Sequence, residues 1–349
     1  MQRELGTAFL AENQFLLPGF VLCRMSTLLF FSGVTMNKVS LILAVLILST
    51  QAHAMDLPFD NMNGFPSNKI KIDYSGFTEP VEPVNNNRFS LQIPLYYGAN
   101  DILNMSLRGS NLTVPKGIEI PGSTLIEVPE SLATAELGLQ YTHKMDGERT
   151  IGGSVSYGSA SDRMFSSNES ITLGASLFYS FPSENNDRWI WALFYTNNSP
   201  VFRNIPIPAV AYYFKRSTVL GAVGVPFIFL RYTPFEAPWA FTLFDLVTIV
   251  KAEVSYGPPI SSYFVGFDWN QQTWLRHDVQ DTDNKLYFDE KKVFVGTRFL
   301  LAKMIFTELD VGQSFDRSFY EGQGLGKKET GTAFLPSSWF AAWNLKFEY

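Results

Sequence analysis

The chain has 349 residues, 46% hydrophobic and 15% aromatic, with 27 Lys and Arg against 33 Asp and Glu. A net charge of −6 excludes a nucleic-acid partner, which would demand a basic patch. A mean hydropathy of +0.02 excludes a bundle of membrane helices, each continuously apolar for about 20 residues, but admits a membrane barrel, where only alternate residues meet lipid.

Near the front, Met36-Asn37-Lys38 gives a short positive start, Val39 to Leu48 is a compact apolar run, and Ala52 and Ala54 are the small residues a signal peptidase reads. This pattern predicts a secretory signal peptide over 36–54, cleaved after Ala54. Residues 1–35 precede it and are expected to be an over-extended gene start, the rival being a long signal sequence. Cys23 follows the bulky Leu22 and does not suit lipid attachment. The mature chain, 55–349, would hold 295 residues, no cysteine, and 24 Lys and Arg against 31 Asp and Glu.

Residues 55–68 are turn-rich. From Lys69 onward, apolar and polar residues alternate with the period of two that marks a strand with one apolar face. Ile70, Ile72 and Tyr74 oppose Lys71, Asp73 and Ser75; Phe89, Leu91, Ile93, Leu95 and Tyr97 align next, then Leu103, Met105 and Leu107. Residues 111–130, with three prolines, read as a long excursion. Ala133–His143 and Thr150–Gly158 flank an Asp146-Gly147 hairpin signal. Ser170–Ser180 and Arg188–Tyr195 follow across a polar turn. Small residues on the wet side, such as Gly152, Ser154, Gly174 and Ser176, fit a crowded inner wall. Ile205–Tyr256 is apolar throughout and broken by prolines, so its registers stay open; Trp239–Tyr256 fits one long strand or two. Ser261–Trp269, Lys292–Leu300 and Met304–Gln313 are further strands. His277–Lys285 reads as a charged loop, and Arg317–Gly331 as a long Gly-rich loop.

The last stretch, Ser337–Tyr349, puts Trp339, Ala341, Trp343, Leu345, Phe347 and Tyr349 on one face and Ala342, Asn344, Lys346 and Glu348 on the other. Its terminal aromatic with apolar residues at every second position before it (Trp343, Leu345, Phe347, Tyr349) resembles the C-terminal signature of Gram-negative outer-membrane β-barrels. That resemblance implies an outer-membrane location, contact with membrane lipid, and recognition by the barrel-assembly machinery and periplasmic chaperones. The expectation is an all-β fold: a single antiparallel transmembrane β-barrel over 55–349, of about 12 strands, within a range of 10–14.

Catalytic motifs are sparse. His277 with Asp278 could supply a base and its orienting acid, but no Gly-x-Ser-x-Gly elbow accompanies them. Asp278, Asp281 and Asp283 lack the glycine and distal glutamate of a calcium loop. Gly322, Gly324 and Gly326 match no phosphate-binding motif. No cofactor or metal is expected. The functional expectation is therefore a structural or small-solute-passing barrel, without an assignable substrate. The alternatives are a lipid-modifying barrel enzyme using His277 and a soluble secreted ligand-binding β protein.

Overall fold

A computed structural model describes residues 69–80, 84–123, 127–199, 205–234, 237–277, 284–324 and 327–349. The segment 1–35, the signal sequence with Ala52 and Ala54, and residues 55–68 lie outside the described residues, as does Asp278.

The strands are β1 (Lys71–Thr78), β2 (Asn85–Tyr97), β3 (Asp101–Thr113), β4 (Ser131–Lys144), β5 (Thr150–Ser161), β6 (Ile171–Pro182), β7 (Arg188–Thr196), β8 (Ile207–Lys215), β9 (Val219–Val225), β10 (Phe227–Tyr232), β11 (Trp239–Leu246), β12 (Ile249–Tyr256), β13 (Ser261–Trp274), β14 (Lys285–Ala302), β15 (Ile305–Gly324), β16 (Lys327–Lys328), β17 (Ala333–Leu335) and β18 (Ser338–Glu348). From β1 to β15 each pairs antiparallel with the next; β15 pairs with β18 and β18 with β1, while β16 and β17 only extend the side of β15. The described residues thus form one closed ring of 16 staves, not the expected 12. Closure leaves no sheet edge and pairs the backbone polar groups internally, as a strand in lipid requires.

The strands beyond the expected number lie in Ile205–Tyr256. Five short staves lie there, β8 to β12, of 9, 7, 6, 8 and 8 residues. Several of their inward residues are apolar too, so alternation is weak. Their mouth-end turns also carry no hairpin signal: Val225-Pro226-Phe227 links β9 to β10, and Val247-Thr248 links β11 to β12. The expected loop over 317–331 is corrected as well, because 317–324 continue β15.

The apolar faces point outward. Leu137, Leu139, Val155, Tyr157, Leu173, Leu177, Trp191 and Val265 are all exposed on the outside of the ring. A soluble β fold would bury such a set; this one presents it as a belt. On β18 the expected oily face is the outward one: Trp339 is 67% exposed, and Trp343, Leu345 and Tyr349 are exposed with it. Trp343 lies across Gly76 of β1, where an added Cβ would run into its indole ring, so a larger residue at this seam would displace the ring.

Strand direction gives the ring two ends. Ile70 and Tyr349 exchange backbone hydrogen bonds of 3.0 Å at one end, which also carries short turns such as the Asp146-Gly147 hairpin and Gly257 (φ 112°). The longer connections gather at the other end, here termed the mouth. There β13, β14 and β15, of 14, 18 and 20 residues, rise above their neighbours and fold inward. Leu275 just beyond β13 bridges Ser161 of β5, and its N–H donates to the Ala160 carbonyl at 2.8 Å. On a ring of 16, β5 and β13 stand opposite each other, so this bridge shows that the tall strands cross the mouth as a lid.

Candidate functional site in the barrel interior

The inward residues follow from the register. Asp73 of β1, Ser90 of β2, Arg108 of β3, Glu136 of β4 and Gly158 of β5 form one row across the wall. Lys251, Asp268, Lys292 and Ser314 form another on β12 to β15. Arg298 on β14 binds Glu253 through two bonds of 2.8 Å and Glu308 at 2.7 Å, the two-pronged geometry that guanidinium and carboxylate favour. Arg108 faces Glu136 at 3.5 Å, and Ser154 and Ser176 bond at 2.7 Å.

Several interior polar atoms have no protein partner: both amide atoms of Asn104, Asn86 Oδ1, Asp268 Oδ1, Asn270 Oδ1, Glu290 Oε1 and Asn344 Oδ1. Buried polar atoms are ordinarily paired with protein or ordered water, so this set marks the interior as polar rather than oily. A ring of 16 staves is of the size that encloses an aqueous channel. From β7 to β11 the lining changes: Phe194, Ile207, Phe227, Phe244 and Leu246 pack together on the inner side near the mouth.

The lid closes the mouth with two kinds of contact. Trp274, Leu286, Phe288 and Phe319 from the tall strands pack with Leu112, Val114, Ile120, Leu132 and Ala160 from the far side. Beneath them Arg317 Nη1 donates to both oxygens of Glu79 at 2.8 and 2.7 Å, with the two side chains 1% and 0% exposed. Ser314 donates to Glu79 at 2.6 Å, and Arg317 Nε donates to the Pro336 carbonyl at 3.1 Å. Arg276 and Glu321 form a second buried pair, and Lys285 donates to the Ser199 carbonyl. Tyr287 and Tyr320 stack with centroids 5.0 Å apart, and burial pushes both phenols up. At the other end, Asp187 in a turn is held down at about 2 by hydrogen bonds from Arg216 and Tyr212.

His277 sits on the lid seam. Its Nδ1 lies 2.6 Å from Asp162 Oδ2 and its backbone N–H donates to Oδ1 of the same carboxylate at 3.3 Å. Its partner is Asp162, 115 residues away and unreadable from sequence spacing, rather than the neighbouring Asp278. No hydroxyl among the described residues bonds its other ring nitrogen. His143 instead meets Asp101 at 2.8 Å near the turn end. Trp343, Leu345, Phe347 and Tyr349 line the outward side of β18 along the closing seam, with Trp343 against Tyr74 at 4.8 Å. The inward cations Arg231 and Lys251 were not singled out from the sequence, although Lys251 and Glu253 two residues apart carry the signal of a wet strand face.

No family model and no curated protein matches the chain. Solved structures to which it is similar include an outer-membrane channel from Pseudomonas putida F1, with 7% identity, coverage of 82% of this chain and 97% of that one, and a TM-score of 0.33. The toluene transporter TodX from Pseudomonas putida shares 8% identity over 87% of this chain and 96% of its own, with a TM-score of 0.36. A bacterial polysaccharide outer-membrane secretin shares 10% over 82% and 100%, with a TM-score of 0.30. The closed antiparallel barrel stands on its own strand pairing.

Proposed function

We propose that this protein is an outer-membrane β-barrel that passes small solutes through a hydrated interior. The observation that carries the reading is the inversion of the two faces: an apolar belt outside the ring, charges and unpaired polar atoms inside it. Export through a signal peptide cleaved after Ala54 and insertion by the barrel-assembly machinery, guided by Trp343, Leu345, Phe347 and Tyr349, belong to the same proposal. The terminal strand supports it physically, because β18 is the stave that seals the ring against β1.

The test is reconstitution of the full chain in planar bilayers. Discrete conductance steps are expected, small for a ring of this size because the lid crosses the mouth. Folded protein that shifts on a gel when boiled, fractionates with the outer membrane, and yet gives no conductance and no solute entry into liposomes would leave a structural barrel and remove the passage role.

A further inference from the structure

The low part of the wall pairs an apolar surface with positive charge. Phe229 of β10 lies opposite Phe244 of β11, and Phe244 lies opposite Lys251 of β12. Arg231 stands two residues along from Phe229 and so shares its inward face. Side chains directly opposed on antiparallel strands keep their Cβ atoms about 4.5–5.5 Å apart, so these groups form one continuous patch. Phe227 and Leu246 extend it toward the mouth.

Neither cation is bonded to a carboxylate among the described residues, although Asp268 stands opposite Lys251. Glu253, on the Arg231 row, is engaged by Arg298 through two bonds of 2.8 Å. Asp268, opposite Lys251 in register, keeps Oδ1 without a partner. Among the described residues Arg231 and Lys251 make no ion pair or hydrogen bond, whereas Arg108, Lys292 and Arg298 on the polar side each contact a carboxylate. Phe227 and Phe244 pack in the inner-wall cluster, and an apolar body laid on that surface leaves water as well. An anion with an apolar body satisfies both halves of the patch, its head on the guanidinium and its body on the rings.

We infer that the inner face of β10 to β12 is a binding subsite for small amphipathic anions, such as aromatic or short alkyl carboxylates. Arg231 is the principal anchor, Lys251 a second, and Phe229 and Phe244 the apolar seat. The inference deepens the passage reading and rests on it for a lumen that solutes reach. It names the class of cargo the barrel favours.

Equilibrium dialysis of the full chain in lipid nanodiscs against indole-3-acetate, with empty nanodiscs as blank, tests it. Binding above the blank is expected. Arg231→Gln should weaken that binding at least tenfold while changing the binding of neutral indole-3-ethanol less than twofold, and Phe229→Ser should weaken both. Boiling-dependent gel migration reports whether each variant folds; if Phe229→Ser does not, wild type and Arg231→Gln decide. No binding above the blank, or an Arg231→Gln variant that binds like wild type, overturns the subsite. Binding without conductance would retire passage and leave the subsite standing, and conductance without binding would do the reverse.

Discussion

β13 to β15 run 14, 18 and 20 residues, while β9 to β12 across the ring from β1 to β4 run 7, 6, 8 and 8. A strand crossing a bilayer at a tilt uses about 9–11 residues, so one side overshoots the wall and the other only reaches its height or falls short. Length decides the chemistry. The tall strands leave the belt and must find new cover on both faces, so Phe288 and Phe319 pack on one side of the lid while Tyr287 and Tyr320 are buried on the other. The low strands end in tight turns, with Leu246, Thr248 and Ile249 buried at one of them, and carry aromatic residues inside rather than a plug of ion pairs. Ion pairs and closure by packing thus sit on one side of the ring, and an apolar wall on the other.

The sharpest way to break this contrast is at Glu79 and Arg317. Removing one member of a buried pair strands the other charge, at a cost of about 3–5 kcal/mol. Glu79→Ala and Arg317→Ala are each expected to lower the unfolding free energy of the reconstituted barrel, extrapolated from urea titration, by that amount, with the lid loosening first. The double variant Glu79→Leu with Arg317→Met should recover most of the loss, since apolar replacement of a whole buried pair is close to neutral. A double variant as unstable as either single one would show that the pair supplies net stability.

The same contrast explains what the sequence reveals. Where one face of a strand meets lipid and the other water, as in Ala133–His143 or Ser170–Ser180, the period of two is visible and the strands lie within a few residues of their expected bounds. It fades on both sides of the contrast, for different reasons. In β10, Phe227 and Phe229 point inward between the outward Ile228 and Leu230, so no wet face marks the strand. In the distal part of β15, Tyr320 and Glu321 are both buried, so a charged, glycine-bearing stretch that reads as loop is strand. The candidate site was less legible still. Arg317 meets Glu79 from 238 positions away, and His277 meets Asp162 from 115, pairings set only by ring closure and lid folding.

A smaller effect is expected from acid on the low side. Asp187 bonds both Arg216 and Tyr212, tying the turn between β6 and β7 to the end of β8, and its carboxyl is depressed from 3.8 to about 2. A group whose folded value is lowered adds stability above its unfolded value and loses it as pH falls through the folded one. Wild type should therefore exceed Asp187→Asn in urea midpoint at neutral pH, the gap closing between pH 3.8 and about 2. A gap that persists unchanged below that window would mean the turn is held by something other than this charge.

The smallest effect belongs to the seam where the two sides meet. His277 and Asp162 are partly buried, at 25% and 12% exposed, and a pair of this kind at the water's edge contributes about 1 kcal/mol. His277→Ala should lower the unfolding free energy by less than that and leave the lid in place, because the Leu275 bridge to Ala160 and the apolar packing of Trp274 remain. Trp274→Ala removes a side chain 1% exposed at the centre of that packing and should cost about 3–5 kcal/mol. Measured side by side by urea unfolding and by conductance, the two variants rank ion pairing against packing as the force that holds the lid. A His277→Ala barrel that opens as far as Trp274→Ala would reverse the order and make the seam, not the apolar cluster, the latch.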